Sequence, residues 1–167
     1  MLADGTPLPY DAETHLITYQ GVVDAPGLTQ AQLYTRAQDW LAKVTSATSV
    51  PQAPATTDQL VGKGTWPVTV SNMMVTYPAG VVAYTLTLYL KEGRYKYVLT
   101  NLTHASDGSN EYVLAAGPLE QDHAQPIAMG VKRHWQGVRK QADTSARKLV
   151  IDLQNAMKGP AKDPKDF

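Results

Sequence analysis

Within residues 81–91 and again within 94–103, apolar side chains recur at every second position, as Leu86, Leu88 and Leu90 and as Tyr95, Tyr97 and Leu99, and Glu92-Gly93 separates the runs. That pattern predicts two antiparallel strands joined by a two-residue turn. With Glu92 and Gly93 as the loop, Leu90 opposes Tyr95, Leu88 opposes Tyr97 and Leu86 opposes Leu99. The other face then pairs Tyr89 with Lys96, Thr87 with Val98 and Thr85 with Thr100. One register thus gives both strands an apolar side for the core and a wetter side for solvent.

A different period governs residues 30–44. Leu33, Ala37, Trp40, Leu41 and Val44 recur every three or four positions, the stripe of an amphipathic helix. Thr29-Gln30-Ala31-Gln32 has the form of a capping box, and Leu28 and Leu33 stand where a hydrophobic staple belongs. Val131, Trp135, Val138, Ala142, Leu149, Leu153 and Ala156 mark a second helix over about 128–158, with a cap or break at Asp143-Thr144-Ser145 as the alternative; Gly159-Pro160 stops it.

Residues 15–24 and 60–70 read as further strands, the second bent near Gly62 and Gly64 and carrying Pro67 at an edge or bulge. The stretch 45–57, with Pro51 and Pro54, reads as a loop, 107–110 as a turn, 111–116 as a short edge strand and 117–126 as a loop. The order β, α, several β, α predicts an α+β domain: a curved antiparallel sheet of about four to five strands with two main helices packed on one face. The expected division is a lead over 1–14, one domain over 15–158 and a disordered polar tail over 159–167.

Composition narrows the function classes more than it names one. Fifteen Lys plus Arg balance fifteen Asp plus Glu, and cysteine is absent. Disulfides, thiol catalysis and cysteine-ligated zinc are therefore excluded, and a zero net charge speaks against a nucleic-acid or membrane-surface binder. Charge is mildly polarised, about −3 over residues 1–90 and +3 over 91–167. No apolar run reaches the roughly 20 residues of a membrane span, so a soluble chain is expected. The start, Met1-Leu2-Ala3-Asp4-Gly5, has neither the basic nor the apolar region of a secretory signal.

Each fragment of candidate chemistry has a plainer reading. Gly62-Lys63-Gly64-Thr65 lacks the spacing and the following helix of a phosphate loop, and reads as a bent strand. His15, His104, His123 and His134 have no partner at a metal-ligand spacing. Asp122-His123 lies in a loop with no nucleophile elbow elsewhere, and Asp143 and Asp152 do not share a helix face. Lys132, Arg133, Arg139, Lys140, Arg147 and Lys148 make the last helix basic, which reads as a solvated face before it reads as a phosphate site. Trp40 and Trp135 belong to the core, while Trp66 beside Pro67 is open to either role. Asn101-Leu102-Thr103 spells a glycosylation sequon inside a strand. No catalytic residue, cofactor or metal set emerges. The candidate partner-binding residues are Tyr89, Lys91, Arg94 and Lys96, at the turn end of the wetter face, because tyrosine and arginine concentrate binding energy at interfaces.

The motifs Tyr19-Gln20-Gly21-Val22-Val23, Leu33-Tyr34-Thr35-Arg36-Ala37-Gln38-Asp39-Trp40, Gly62-Lys63-Gly64, Tyr84-Thr85-Leu86 and Gly93-Arg94-Tyr95-Lys96-Tyr97 occur in an order and spacing that resembles a known family. It is the bacterial domain-of-unknown-function family with a TATA-binding-protein-like fold, found mostly in exported or lipid-anchored proteins. The resemblance covers about residues 15–157. It implies a curved antiparallel sheet with helices on one side and an exported, periplasmic protein, and it supplies no catalytic residues. The chain departs from the family after the first helix, where Val50-Pro51-Gln52-Ala53-Pro54 replaces an extended apolar segment. The expected function is a non-enzymatic exported module binding a protein, peptide or envelope component. The alternatives are a nucleic-acid binder using the basic last helix and open sheet, and a hydrolase built from dispersed His and Asp. Of these, nucleic acid is not the expected partner: minor-groove wedges need apolar side chains among cations, whereas this chain has one Phe, at its terminus, and no net positive charge.

Overall fold

The computed structural model describes residues 2, 4–45, 58–106, 108, 116–121 and 132–158. The elements are β1 (Tyr19–Asp24), α1 (Gln30–Val44), β2 (Gln59–Asn72), β3 (Val75–Lys91), β4 (Arg94–Ala105), β5 (Gly117–Pro118) and α2 (Lys132–Ala156). They form one antiparallel sheet in the order β1-β4-β3-β2, with β5 also paired to β4. The fold is α+β. The expected loop over 46–57, most of the 107–110 turn, the edge strand over 111–115 and the tail over 159–167 lie outside the described residues.

The β3–β4 register is the predicted one from Thr85↔Thr100 to Lys91↔Arg94. Leu86, Leu88, Leu90, Tyr95 and Leu99 are buried on one side of it, while Tyr89, Lys91, Arg94 and Lys96 are exposed on the other. Both helices lie on the buried side. In α1 the Thr29–Gln32 capping box forms in full, and Leu28 and Leu33 are buried as a staple requires. Its seat lies over β3 and β2, where Gly62 makes room: a Cβ there would stand 2.8 Å from Leu41 Cδ2. Trp40 is buried but lies towards α2, its Nε1–H donating to Asp152 Oδ2 at 3.0 Å. Helix α2 is continuous through 143–145, because Asp143 serves side chains from within the helix and the Thr144 hydroxyl bonds back to the Lys140 carbonyl at 3.0 Å.

The irregularities that bend a sheet, its register slips, do not fall at Gly62 and Gly64, where the β2–β3 pairing is regular. Between Pro67↔Val81 and Thr69↔Pro78, Ala79 and Gly80 of β3 stand against Val68 alone. Between Ala83↔Thr103 and Thr85↔Thr100, Asn101 and Leu102 of β4 stand against Tyr84 alone. Gly80 has φ +86° and would bring a Cβ to 2.3 Å from the Ala105 carbonyl oxygen, so glycine is required there. Asn101 at φ 56° occupies the left-handed region that its side chain tolerates. His104 closes the bulged region: its Nε2–H donates to the Ala79 carbonyl at 2.6 Å and its Nδ1 accepts from the Ala116 N–H at 3.1 Å. Gly64 instead accommodates the Tyr84 ring, on which Trp66 stacks at 4.3 Å between centroids. Trp66 is thus a packing residue on β2.

Three further differences from the sequence reading have local causes. Strand β1 starts at Tyr19 rather than residue 15, because residues 10–17 double back, with Tyr10 bridged to Ile17 and His15 at φ 59°. The lead over 1–14 is not a separate appendage: Leu2 and Leu8 are in the core, and Asp4 pairs with Lys140 at 3.1 Å. Gly117–Pro118, read as loop, adds a two-residue strand to β4.

The β2–β3 hairpin turns through Met73 and Met74, at φ 46° and 75° and fully exposed. With positive φ at both central positions, a two-residue turn of type I′ matches strand twist, whatever residues stand there. Replacing them by Met73→Asn with Met74→Gly is expected to raise stability by about 1–2 kcal/mol, the scale of the left-handed penalty removed; unchanged denaturant unfolding would contradict the assigned turn. Trp40→Ala is expected to cost about 3–5 kcal/mol, as for other large-to-small core changes. A loss below about 1 kcal/mol in the same measurement would mean that Trp40 does not join the helices.

Candidate functional site

The face turned away from the helices is built in rows across four strands. Gln59, Tyr89, Lys96 and Val22 form one row, and Val61, Thr87, Val98 and Gln20 the next. Thr85 and Thr100 continue it, the Thr100 hydroxyl lying 3.1 Å from that of Thr18. Tyr89 is 44% exposed, and Val22, at 62%, stands beside the Lys96 stem. Lys91 and Arg94 oppose each other at the turn. The structure therefore brings all four sequence-predicted residues to the end of one face.

They do not form a flat surface. A hollow of about 650 Å³ lies over them, with Lys91, Arg94, Lys96 and Tyr89 on one side and Asp11, Glu13, Thr14 and Leu16 on the other. Among the described residues, the side chains of Lys91, Arg94, Lys96 and Glu13 make no hydrogen bond or ion pair with another protein group.

The acidic wall comes from the doubled-back segment before β1. Asp11 Oδ1 accepts from the Thr14 N–H at 2.8 Å, the Glu13 N–H at 3.0 Å and the Thr14 hydroxyl at 3.0 Å, while Oδ2 accepts from Gln20 Nε2 at 3.3 Å. Those donors, the Thr14 amide first, hold the Asp11 carboxyl below its ordinary range, so it is charged at neutral pH. This wall was missed in the sequence, although an Asp followed two and three residues on by the amides that it binds is an Asx-turn signature.

On the helix side of β1, α2 carries a polar spine at four-residue intervals: Arg139, Asp143 and Arg147. Tyr19 donates its hydroxyl to Asp143 Oδ1 at 2.6 Å, and Arg147 Nε donates to both oxygens of that carboxylate at 3.1 and 3.0 Å. The Arg147 guanidinium also lies 5.6 Å from the Tyr19 ring centroid. Arg139 is buried and donates to the Tyr10 hydroxyl at 2.8 Å. A second hollow of about 610 Å³ lies here, lined by Tyr19, Tyr97, Arg147, Val150 and Ile151 among others.

This spine redistributes the basic helix. Arg139 points inward, Lys140 pairs with Asp4 and Arg147 with Asp143, so half of the six cations do not present a free face. His104 is occupied at both nitrogens by backbone groups, and the Asp122-His123 pair lies outside the described residues. Among the described residues, no three His, Asp or Glu side chains cluster as metal ligands would, and no helix is long and apolar enough to cross a membrane.

The model of the family described as "Domain of unknown function (DUF4468) with TBP-like fold" matches residues 19–105. A solved DUF4468 family protein from Bacteroides ovatus ATCC 8483 superposes with a TM-score of 0.64 at 17% identity, covering 98% of this chain and 96% of that one. A solved TBP-like protein from Parabacteroides distasonis ATCC 8503 gives a TM-score of 0.66 at 10% identity, covering 88% and 96%. At those identities the likeness shows the fold alone. No curated protein matches the sequence. The chain belongs to the DUF4468 family.

Burial raises the Tyr19 hydroxyl far above its ordinary range, reinforced by the hydrogen bond to Asp143, and burial pushes Tyr95 up to about 12. A raised folded-state value favours the neutral phenol, so the stabilisation is complete below pH 10, the unfolded value, and falls as pH rises through 10 towards 12. Urea unfolding at pH 8, 10 and 11 is expected to show stability declining above pH 10, and Tyr19→Phe to flatten part of that decline. A profile level to pH 11.5 would contradict the burial of both phenols.

Proposed function

We propose that this member of the DUF4468 family is a non-enzymatic binding module that holds a protein, peptide or envelope component on the open face of its sheet. The observation that carries the reading is the hollow over that face, where Tyr89, Lys91, Arg94 and Lys96 stand opposite Asp11 and Glu13 with the cations uncommitted. Antiparallel sheets commonly leave one face to water. Here the exposed face is concave and carries both signs of charge around an accessible tyrosine, features that serve recognition.

The groups on this face are suited to holding a ligand more than to reacting with one. Its aliphatic hydroxyls belong to threonines, its exposed phenol to Tyr89, and the Asp11 oxygens are already engaged by Thr14, Glu13 and Gln20. A general base acts on a proton within its reach, and the free carboxylate of the hollow, Glu13, makes no hydrogen bond to a hydroxyl among the described residues. A phosphate backbone is a poor fit to the same hollow, since its acidic wall would repel it. Export to the periplasm belongs to the same proposal and is supported by the family resemblance.

The double variant Tyr89→Ala with Arg94→Ala tests the site. Recovery of the native partner from envelope extract is expected to be lost, while the melting temperature moves by no more than a few degrees because both side chains are exposed. Undiminished recovery by the variant would move the site off this face.

A further inference from the structure

The two free edges of the sheet are treated differently. On β2, Pro67 has no N–H to offer, a register slip follows it, and the Gln141 amide takes both Thr69 backbone groups, accepting from its N–H at 3.0 Å and donating to its carbonyl at 2.7 Å. These are devices that keep an edge from pairing. Among the described residues, strand β1 has none of them. Among the described residues, no group hydrogen-bonds to the backbone of residues 20–24 on the side away from β4.

That bare edge lies between the two hollows. On the open face Gln20 and Val22 line the 650 Å³ hollow, and on the helix face Tyr19 and Tyr97 line the 610 Å³ hollow. Gly21, between them, has no side chain, and its Cα faces the Tyr97 ring. A strand laid along β1 would therefore send alternate side chains into opposite hollows, the arrangement by which strand addition combines main-chain affinity with side-chain specificity.

We propose that β1 receives an extended peptide as an added antiparallel strand, with an acidic, an apolar and a basic side chain in succession. This rests on the binding-module reading and names its ligand class. The order follows from the walls. Lys96 lies across from Val22, with Arg94 across from Asp24, so an acidic side chain belongs beside Val22. Asp11 is bonded to Gln20 and Glu13 stands beside it, so a basic side chain belongs beside Gln20. The residue between them turns to the helix side over Gly21, where Tyr97, Val150 and the exposed Ile151 offer apolar surface. Antiparallel addition, the sense of every other pair in this sheet, reads these positions from Val22 back to Gln20.

The probe is an acetylated, amidated peptide Ser-Thr-Glu-Val-Lys-Thr-Ser, titrated into isotope-labelled protein and followed by amide chemical shifts. Saturable shifts are expected at Gln20, Gly21 and Val22, with the Lys-Val-Glu reversal at least tenfold weaker. Methylating the peptide nitrogens that face β1 should abolish binding, and Lys96→Glu should invert the charge preference. Equal binding of the methylated peptide, or shifts confined to Tyr89 and Thr87, would overturn strand addition and leave the face-binding reading intact. Absence of binding at millimolar peptide would also overturn it, whatever the Tyr89/Arg94 variant does in partner recovery. If that variant also recovers partner normally, the face-binding reading fails as well.

Discussion

The helices of this fold can be placed on only one side of the sheet, and the register of the β3–β4 hairpin determines which residues that side receives. A slip by one residue would exchange Leu86, Leu88 and Leu90 for Thr85, Thr87 and Tyr89 beneath the helices. Glu92-Gly93 fixes the register from one end, with Gly93 at φ +71° supplying the left-handed residue of the turn. The Leu90 and Gly93 N–H groups are tied in turn to the Asp58 and Leu28 carbonyls, at 2.7 and 3.0 Å. The strands that flank the hairpin, and the loop that leads into α1, thus inherit its register.

At the far end of the hairpin the same register must be broken to bend the sheet, and the two slips in adjacent strands accomplish this without leaving the core polar groups exposed. Each slip frees backbone groups from the ladder, and a freed carbonyl in a buried place costs on the order of 1–3 kcal/mol unless it finds a donor. His104 provides one for Ala79 while its second nitrogen holds Ala116. It is fully buried yet satisfied on both sides, which is the structural alternative to catalysis for an isolated histidine in an apolar setting. Its lack of a metal-ligand spacing in the sequence is consistent with that role.

What the sequence made legible were the features determined by neighbours along the chain. The capping box of α1, its bounds and the six hairpin pairs all depend on residues within a few positions or on a strict period, and all stand as read. The β2–β3 hairpin is hidden in the sequence because Met73-Met74 carries none of the Gly or Asn chemistry that marks such a turn, so the pattern predicts β3 from Val81, whereas it starts at Val75. Gly62 and Gly64 predict a bend, since glycine in a strand signals either a bulge or a close approach, and only the partners Leu41 and Tyr84 distinguish the two. Of the candidate site, the wetter face was legible from period alone. Its acidic wall was not, because Asp11 and Glu13 reach it only through the reversal of residues 10–17.

The polar spine of α2 explains why a helix with six cations need not be a nucleic-acid surface. A carboxylate nearly buried at Asp143 would be strongly unfavourable alone, and the Tyr19 hydroxyl with two hydrogen bonds from Arg147 compensates it. Removing either partner would leave the other charge or the phenol short of a partner, so these residues are constrained together and hold α2 against β1. The open face is constrained differently. Tyr89, Lys91, Arg94 and Lys96 are exposed on the face away from the helices, and surface substitutions of that kind usually move stability by only about half a kcal/mol. A fold with its core on one side of a sheet can therefore vary the chemistry of the other side while the register beneath stays unchanged.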